Sequence, residues 1–214
     1  MIVATSRAWP RSAVPARFAR AVAGVLAVLA IAGCGSTDRP SQTQAPPPKL
    51  LAEARPIGRG PAFQPPVRGP VIGACTARPG ARVGVHVEVF AANRVVLIPA
   101  GIGTEPPRRF LSGRIAGARC YGELVTLDPT GLVLVGARAR LMLRDLFRSW
   151  GQPLSSRGVA SFSAPGGDQV RVFVDGRRWR GPPAGVPLSV HSEIVVEVGP
   201  YVSPHSAYTF PSGS

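Results

Sequence analysis

Apolar residues follow two different rhythms along this chain. From Ala21 to Gly33 they run with small residues and no charge, whereas beyond Arg82 they recur at every second position. The second rhythm is that of a strand: Val83, Val85, Val87 and Val89 face one way while Gly84, His86, Glu88 and Phe90 face the other, as on a half-buried sheet. Ala91 to Arg94, centred on Asn93, reads as a turn, and Val95-Val96-Leu97-Ile98 as a returning strand that Pro99 stops. A second β unit runs from Cys120 to Leu127, turns at Asp128-Pro129-Thr130-Gly131 and returns through Leu132 to Val135; in that turn proline presets the second position and glycine accommodates the last. Leu143, Leu146, Phe147 and Trp150 then fall at helical spacing, with Gly151 placed to cap a short helix. A last unit has Val170, Val172 and Val174 on one face, the hairpin dipeptide Asp175-Gly176, Arg177 to Arg180 around Trp179, and a final strand through Ile194, Val196 and Val198 ended by Gly199-Pro200. The pattern predicts a mainly β, hairpin-rich fold with one short helix, as one body or as two small β subdomains divided near residues 155–168.

The uncharged run has a different meaning. Arg7, Arg11, Arg17 and Arg20 precede it, no acid occurs before Cys34, and its thirteen residues fall short of the roughly 20 a membrane-spanning helix needs. It reads as a removable signal, residues 1–33. Ile31-Ala32-Gly33-Cys34 matches the bacterial lipobox, so Cys34 is expected as a lipidated mature N-terminus; several acyl chains, palmitate among them, hold a protein firmly where one holds it marginally. Gly35 to Pro70 contains nine prolines and few large apolar residues, the composition of a disordered tether. The expected organisation is signal 1–33, lipidated cysteine and linker 34–70, and an extracytoplasmic β domain 71–214.

Charge narrows the partners. Of 25 basic side chains four lie in the signal, leaving 21 against 11 acids, and Lys49 is the only lysine. Such an excess suits nucleic acid in general, but an exported protein meets little of it and the arginines are spread along the sequence, so nucleic acid is not expected. Abundant Ala, Gly, Pro and Arg together fit a GC-rich coding bias; the functional alternative is attraction to anionic lipid or acidic wall polymer.

With Cys34 lipidated, Cys75 and Cys120 remain, and outside the cytoplasm such a pair tends to oxidise. Neither has a Cys or His at zinc-site spacing, so a disulfide is the first expectation, ahead of free thiols or metal ligands. No Gly-x-Ser-x-Gly elbow, His-Glu-x-x-His pair or phosphate-binding glycine loop occurs. No catalytic residue and no cofactor is assigned.

Several segments, taken in order, resemble an uncharacterised family of bacterial exported proteins, many of them lipoproteins: Val85-His86-Val87-Glu88-Val89-Phe90, Ile98-Pro99-Ala100-Gly101-Ile102-Gly103, Asp128-x-x-Gly131, Leu146-Phe147-x-x-Trp150-Gly151-Gln152-Pro153-Leu154 and Val172-Phe173-Val174-Asp175-Gly176. The family pattern has a His-x-His strand, a Val-Pro-Ala-x-Ile-Gly segment and a cysteine followed by His-Thr-His-Asp-x-x-Gly. This implies a histidine cluster suited to copper or zinc in typical members. Here those positions read Val125, Leu127 and Leu134, and of the histidine strand only His86 remains. His191 and His205 are scattered. His86 and Glu88, about 7 Å apart along one strand face, are the weak remnant of a metal site against a plain polar face.

The reading is a lipid-anchored protein on the extracytoplasmic face of a cell membrane, acting without catalysis as a binding module toward an anionic lipid, a wall polymer or another envelope protein. Its alternatives are a copper- or zinc-handling protein, or a degenerate member of a metal-binding family, and an enzyme with no recognisable motif.

Overall fold

The computed structural model describes residues 56–201 and 208–213. The signal, Cys34, the linker up to residue 55 and His205 lie outside the described residues.

The strands are β1 (Arg82–Ala91), β2 (Arg94–Val95), β3 (Thr104–Glu105), β4 (Arg109–Leu111), β5 (Arg114–Gly117), β6 (Cys120–Tyr121), β7 (Leu124–Val125) and β8 (Leu132–Gly136). After helix α1 (Leu143–Trp150) come β9 (Gly158–Val159), β10 (Phe162–Ser163), β11 (Arg171–Val174), β12 (Arg177–Arg178) and β13 (Glu193–Val198). The fold is mainly β, as the alternation predicts, with one main sheet in the order β12-β11-β13-β1-β8-β7, β2 added on β1, and three two-stranded sheets beside it. Within the main sheet only β1 and β13 run parallel, with His86 opposite Glu193 and Val89 opposite Val196.

Pairing register gives the sheet two chemically different faces. Val85, Val87 and Val89 of β1, Val133 and Val135 of β8, Val172 of β11, and Ile194 and Val196 of β13 share one face and are buried together. Helix α1 covers that face with Leu143, Leu146, Phe147 and Trp150. At its start the Asp145 carboxylate reaches back to accept from the Met142 N–H at 2.8 Å, and Gly151 ends it with φ 74°. Each large apolar side chain fully buried here contributes about 1.5–3 kcal/mol, far more than the helix's own eight residues could supply as an isolated helix.

The opposite face carries Gly84, His86 and Glu88 of β1, Leu132 and Leu134 of β8, Val125 of β7, and Glu193 and Glu197 of β13. It too is buried in part. His86 is 5 % exposed, Glu193 3 % and Glu197 0 %, which corrects the expectation of a half-buried β1: flanked by two strands, it lies at the centre of the sheet.

Two boundaries differ from the sequence reading. Residues 56–70, given to the linker, pack on the domain: Ile57 bridges to Val96, Phe63 lies against the core, and the Trp150 indole N–H donates to the Phe63 carbonyl at 2.6 Å. Proline-rich composition hid this because these residues dock through single apolar side chains and backbone carbonyls, which need no periodicity. Nor does the fold divide near 155–168. The β9–β10 hairpin there places Val159 in the same core as β1 and α1, and β11 joins β13, so one core serves both halves.

Gly103 shows how close the backbone runs beneath the sheet. With φ +68°, its position would bring an added Cβ to 1.7 Å from the Leu124 carbonyl oxygen. Gly103→Ala is expected to lower stability by about 2–4 kcal/mol, combining left-handed strain with overpacking, whereas Gly60→Ala, whose site is open, stays within about 0.5 kcal/mol. Urea midpoints of the two variants check this, and equal midpoints would show the contact to be soft.

Candidate functional site

The β11–β12 hairpin builds a charged groove. Asp175 and Gly176 both take positive φ, 50° and 73°, so the two-residue turn matches strand twist and sets Arg177 opposite Val174 and Arg178 opposite Phe173. The chain then bends: the Trp179 N–H donates to the Val172 carbonyl at 2.8 Å and its indole N–H to the Pro182 carbonyl at 3.2 Å. Beside this bend lies a groove of about 770 Å³ lined by Arg171, Arg177, Arg178, Arg180, Trp179, Gln169, Ser156 and the Gly181-Pro182-Pro183 turn, with no acidic residue among its lining.

The arginines differ in how they are held. Arg171 donates from Nε to buried Glu197 at 3.2 Å and lies 5.9 Å from the Tyr201 ring centre. Arg177, Arg178 and Arg180 are exposed, and none takes part in an ion pair among the described residues. Arginines that look spread along the sequence thus converge, because β11 brings Arg171 beside the later run. The available signal was Arg177-Arg178-Trp179-Arg180 directly after a hairpin dipeptide: basic residues interleaved with an aromatic on an edge strand.

A second basic projection is the β4–β5 hairpin, to which the sequence pattern assigns no strand. Phe110 and Leu111 are 56 % and 70 % exposed at its end, between Arg109 and Arg114. Arg108 at its base is tied to the Thr104 hydroxyl at 2.8 Å, and burial pushes its guanidinium below the ordinary value, as it does for Arg82, where nearby Glu123 partly opposes the shift.

The two cysteines are joined. Cys75 and Cys120 form a disulfide with Cα atoms 5.3 Å apart, within the usual span, pinning the segment before β1 to β6. Two groups among the described residues bring three metal-ligating atoms together, Cys75, Glu105 and Cys120 in one and His86, Glu88 and Glu193 in the other. The first is spent in the disulfide. In the second, His86 Nδ1 is 2.9 Å from Glu193 Oε1 and Nε2 is 3.0 Å from the Thr130 carbonyl. Gly131 permits that approach, since a Cβ there would lie 2.5 Å from the Val87 carbonyl and 3.1 Å from the imidazole. Tyr208 stacks on the imidazole at 3.7 Å, and its phenol is pushed up by burial and by the charges of Asp128 and Glu193. Sequence reasoning found His86 and Glu88 but not Glu193, which parallel pairing delivers from 107 residues away.

The positions implied by the resemblance also converge. Val125 and Leu134 pair across β7 and β8 and pack with Leu127 in a small second apolar cluster, on the sheet face that carries His86. His191 lies apart from them, against Phe210.

Comparison with protein-family models, curated proteins and solved structures finds no match. Fold and site together define a disulfide-linked, mainly β domain with an arginine-lined groove. Among its described residues no helix is long and apolar enough to cross a membrane.

The disulfide closes a loop across 45 positions, for which chain entropy gives about 4 kcal/mol. Replacing both cysteines by serine is expected to lower unfolding stability by that order. A urea midpoint unmoved by the double substitution would show that the loop is already held by its strands.

Proposed function

We propose that this chain is a lipid-anchored envelope protein that holds an anionic ligand in the arginine groove of β11–β12, without catalysis. The observation that carries the proposal is the set of three exposed guanidinium groups around Trp179, in no ion pair and beside no acid among the described residues lining the groove. Guanidinium forks suit phosphate and carboxylate bidentately, and the flat indole offers stacking area to a sugar ring or a lipid headgroup. Placement on the extracytoplasmic face of a membrane rests on the basic leader, the short apolar run and the Ile31-Ala32-Gly33-Cys34 box.

Exposed Phe110 and Leu111 between arginines favour a membrane surface as one form of this ligand, since apolar residues flanked by cations sit well at an anionic bilayer interface. A wall polymer is the other form. The edge arginines also have a plain structural use, because charge on an edge strand discourages pairing with another sheet.

A second reading draws on one observation, the convergence of Val125, Leu127 and Leu134 beside the His86 strand. It takes the chain as a member of the histidine-rich exported family whose cluster has been replaced by aliphatic packing on a kept scaffold.

Binding to anionic vesicles or to an anionic wall polymer is expected to weaken steeply between low and high salt. Replacing Arg177, Arg178 and Arg180 by alanine removes about 1 kcal/mol each, a loss of roughly a hundredfold in affinity. Phe110→Ala with Leu111→Ala weakens vesicle binding alone if the membrane is the ligand. Binding that ignores both salt and the triple substitution would end the proposal.

A further inference from the structure

We propose that His86, Glu88 and Glu193 form a site for one divalent transition-metal ion, distinct from the arginine groove and independent of the anchor. The argument begins with the imidazole. The Thr130 carbonyl can only accept, so His86 Nε2 carries hydrogen; Nδ1 lies 2.9 Å from Glu193 Oε1, and an ion bound there would take the place of the hydrogen shared between them, which leaves as a proton. A metal-bound histidine characteristically donates its other ring N–H to a carbonyl or carboxylate, fixing the tautomer and aiming the free lone pair. Gly131 and the Asp128-to-Gly131 turn supply that arrangement here.

Charge supplies the second step. The ligating atoms of His86, Glu88 and Glu193 all lie within 4.8 Å of one another, on one face of the sheet. One imidazole nitrogen and two carboxylate oxygens that close offer three donor atoms to a single cation. Glu193 is 3 % exposed, and its Oε2 atom is buried without a hydrogen-bond partner. A buried, unpartnered carboxylate oxygen is costly, and an ion held by Nδ1 and the two carboxylates would satisfy it. One imidazole nitrogen with carboxylate oxygens suits zinc, manganese or iron(II) better than a soft, thiolate-seeking ion. Tyr208 closes the imidazole face opposite the strand.

The test uses the full chain, stripped with chelator and kept without reductant so that Cys75 and Cys120 stay joined. Titration with zinc chloride, followed by calorimetry and by elemental analysis after dialysis, is expected to give one retained equivalent and a raised melting temperature. Glu88→Gln and Glu193→Gln should each weaken zinc binding at least tenfold, while Glu105→Gln beside the disulfide leaves it unchanged. Should Glu193→Gln not fold, the half-buried Glu88→Gln decides alone, with its zinc-free melting temperature confirming an intact domain. Failure to retain zinc or manganese, or retention unaffected by Glu88→Gln, would overturn the site and leave His86 and Glu193 as a buried ion pair. Neither outcome bears on the salt-sensitive binding at the arginine groove.

Discussion

The parallel pairing of β1 with β13 is the constraint on which the rest of the molecule depends. It joins strands whose facing residues, such as His86 and Glu193, stand 107 positions apart. By placing both at the centre of the sheet it buries both their faces. A valine-rich face can then receive α1, whereas the opposite face must satisfy whatever polar groups the sequence has put there. Parallel strands need a long crossover. The intervening chain supplies β7 and β8 on one flank and the β11–β12 hairpin on the other.

Burial of charge follows from that placement. Glu197 finds Arg171 on the neighbouring strand at 3.2 Å, and Glu193 finds His86 on the other side. Removing one partner of either pair would strand a charge in low dielectric, so the pairs fix register as much as they add stability. The hairpin that contributes Arg171 then ends the sheet, and its remaining arginines meet solvent instead of acid. Core and groove are thus two ends of one strand arrangement: β11 anchors the Arg171 guanidinium to the interior, and β12 with the bend after it presents Arg177, Arg178 and Arg180 at the edge.

Local features were legible in the residues, and long-range ones were not. Asn93 and Asp175-Gly176 mark turns whose positive φ angles the structure shows, and Leu143, Leu146, Phe147, Trp150 and Gly151 mark the helix and its end. The cysteine pair followed from count and spacing, two cysteines beyond Cys34 with no zinc-site neighbour. Parallel pairing left no such trace, because the period of two is the same whichever strand lies alongside. The β4–β5 hairpin was obscured by its own exposure, for Arg109, Phe110 and Leu111 bury nothing and so show no alternation. Glu193 and Glu197 did carry a signal, two acids in a strand of Ile and Val, each in need of a partner that only the fold could name.

Beyond residue 34 the chain has two tryptophans, Trp150 and Trp179, and they sit in opposite environments. Trp150 is fully buried against Phe63, while Trp179 lines the groove. The most direct measurement is therefore an amide and indole NMR titration with a soluble anionic polymer. Groove binding predicts that the Trp179 indole and the amides of Arg177 to Gly181 shift while the Trp150 indole stays fixed; a titration that moves neither, or moves residues remote from the hairpin alone, contradicts it.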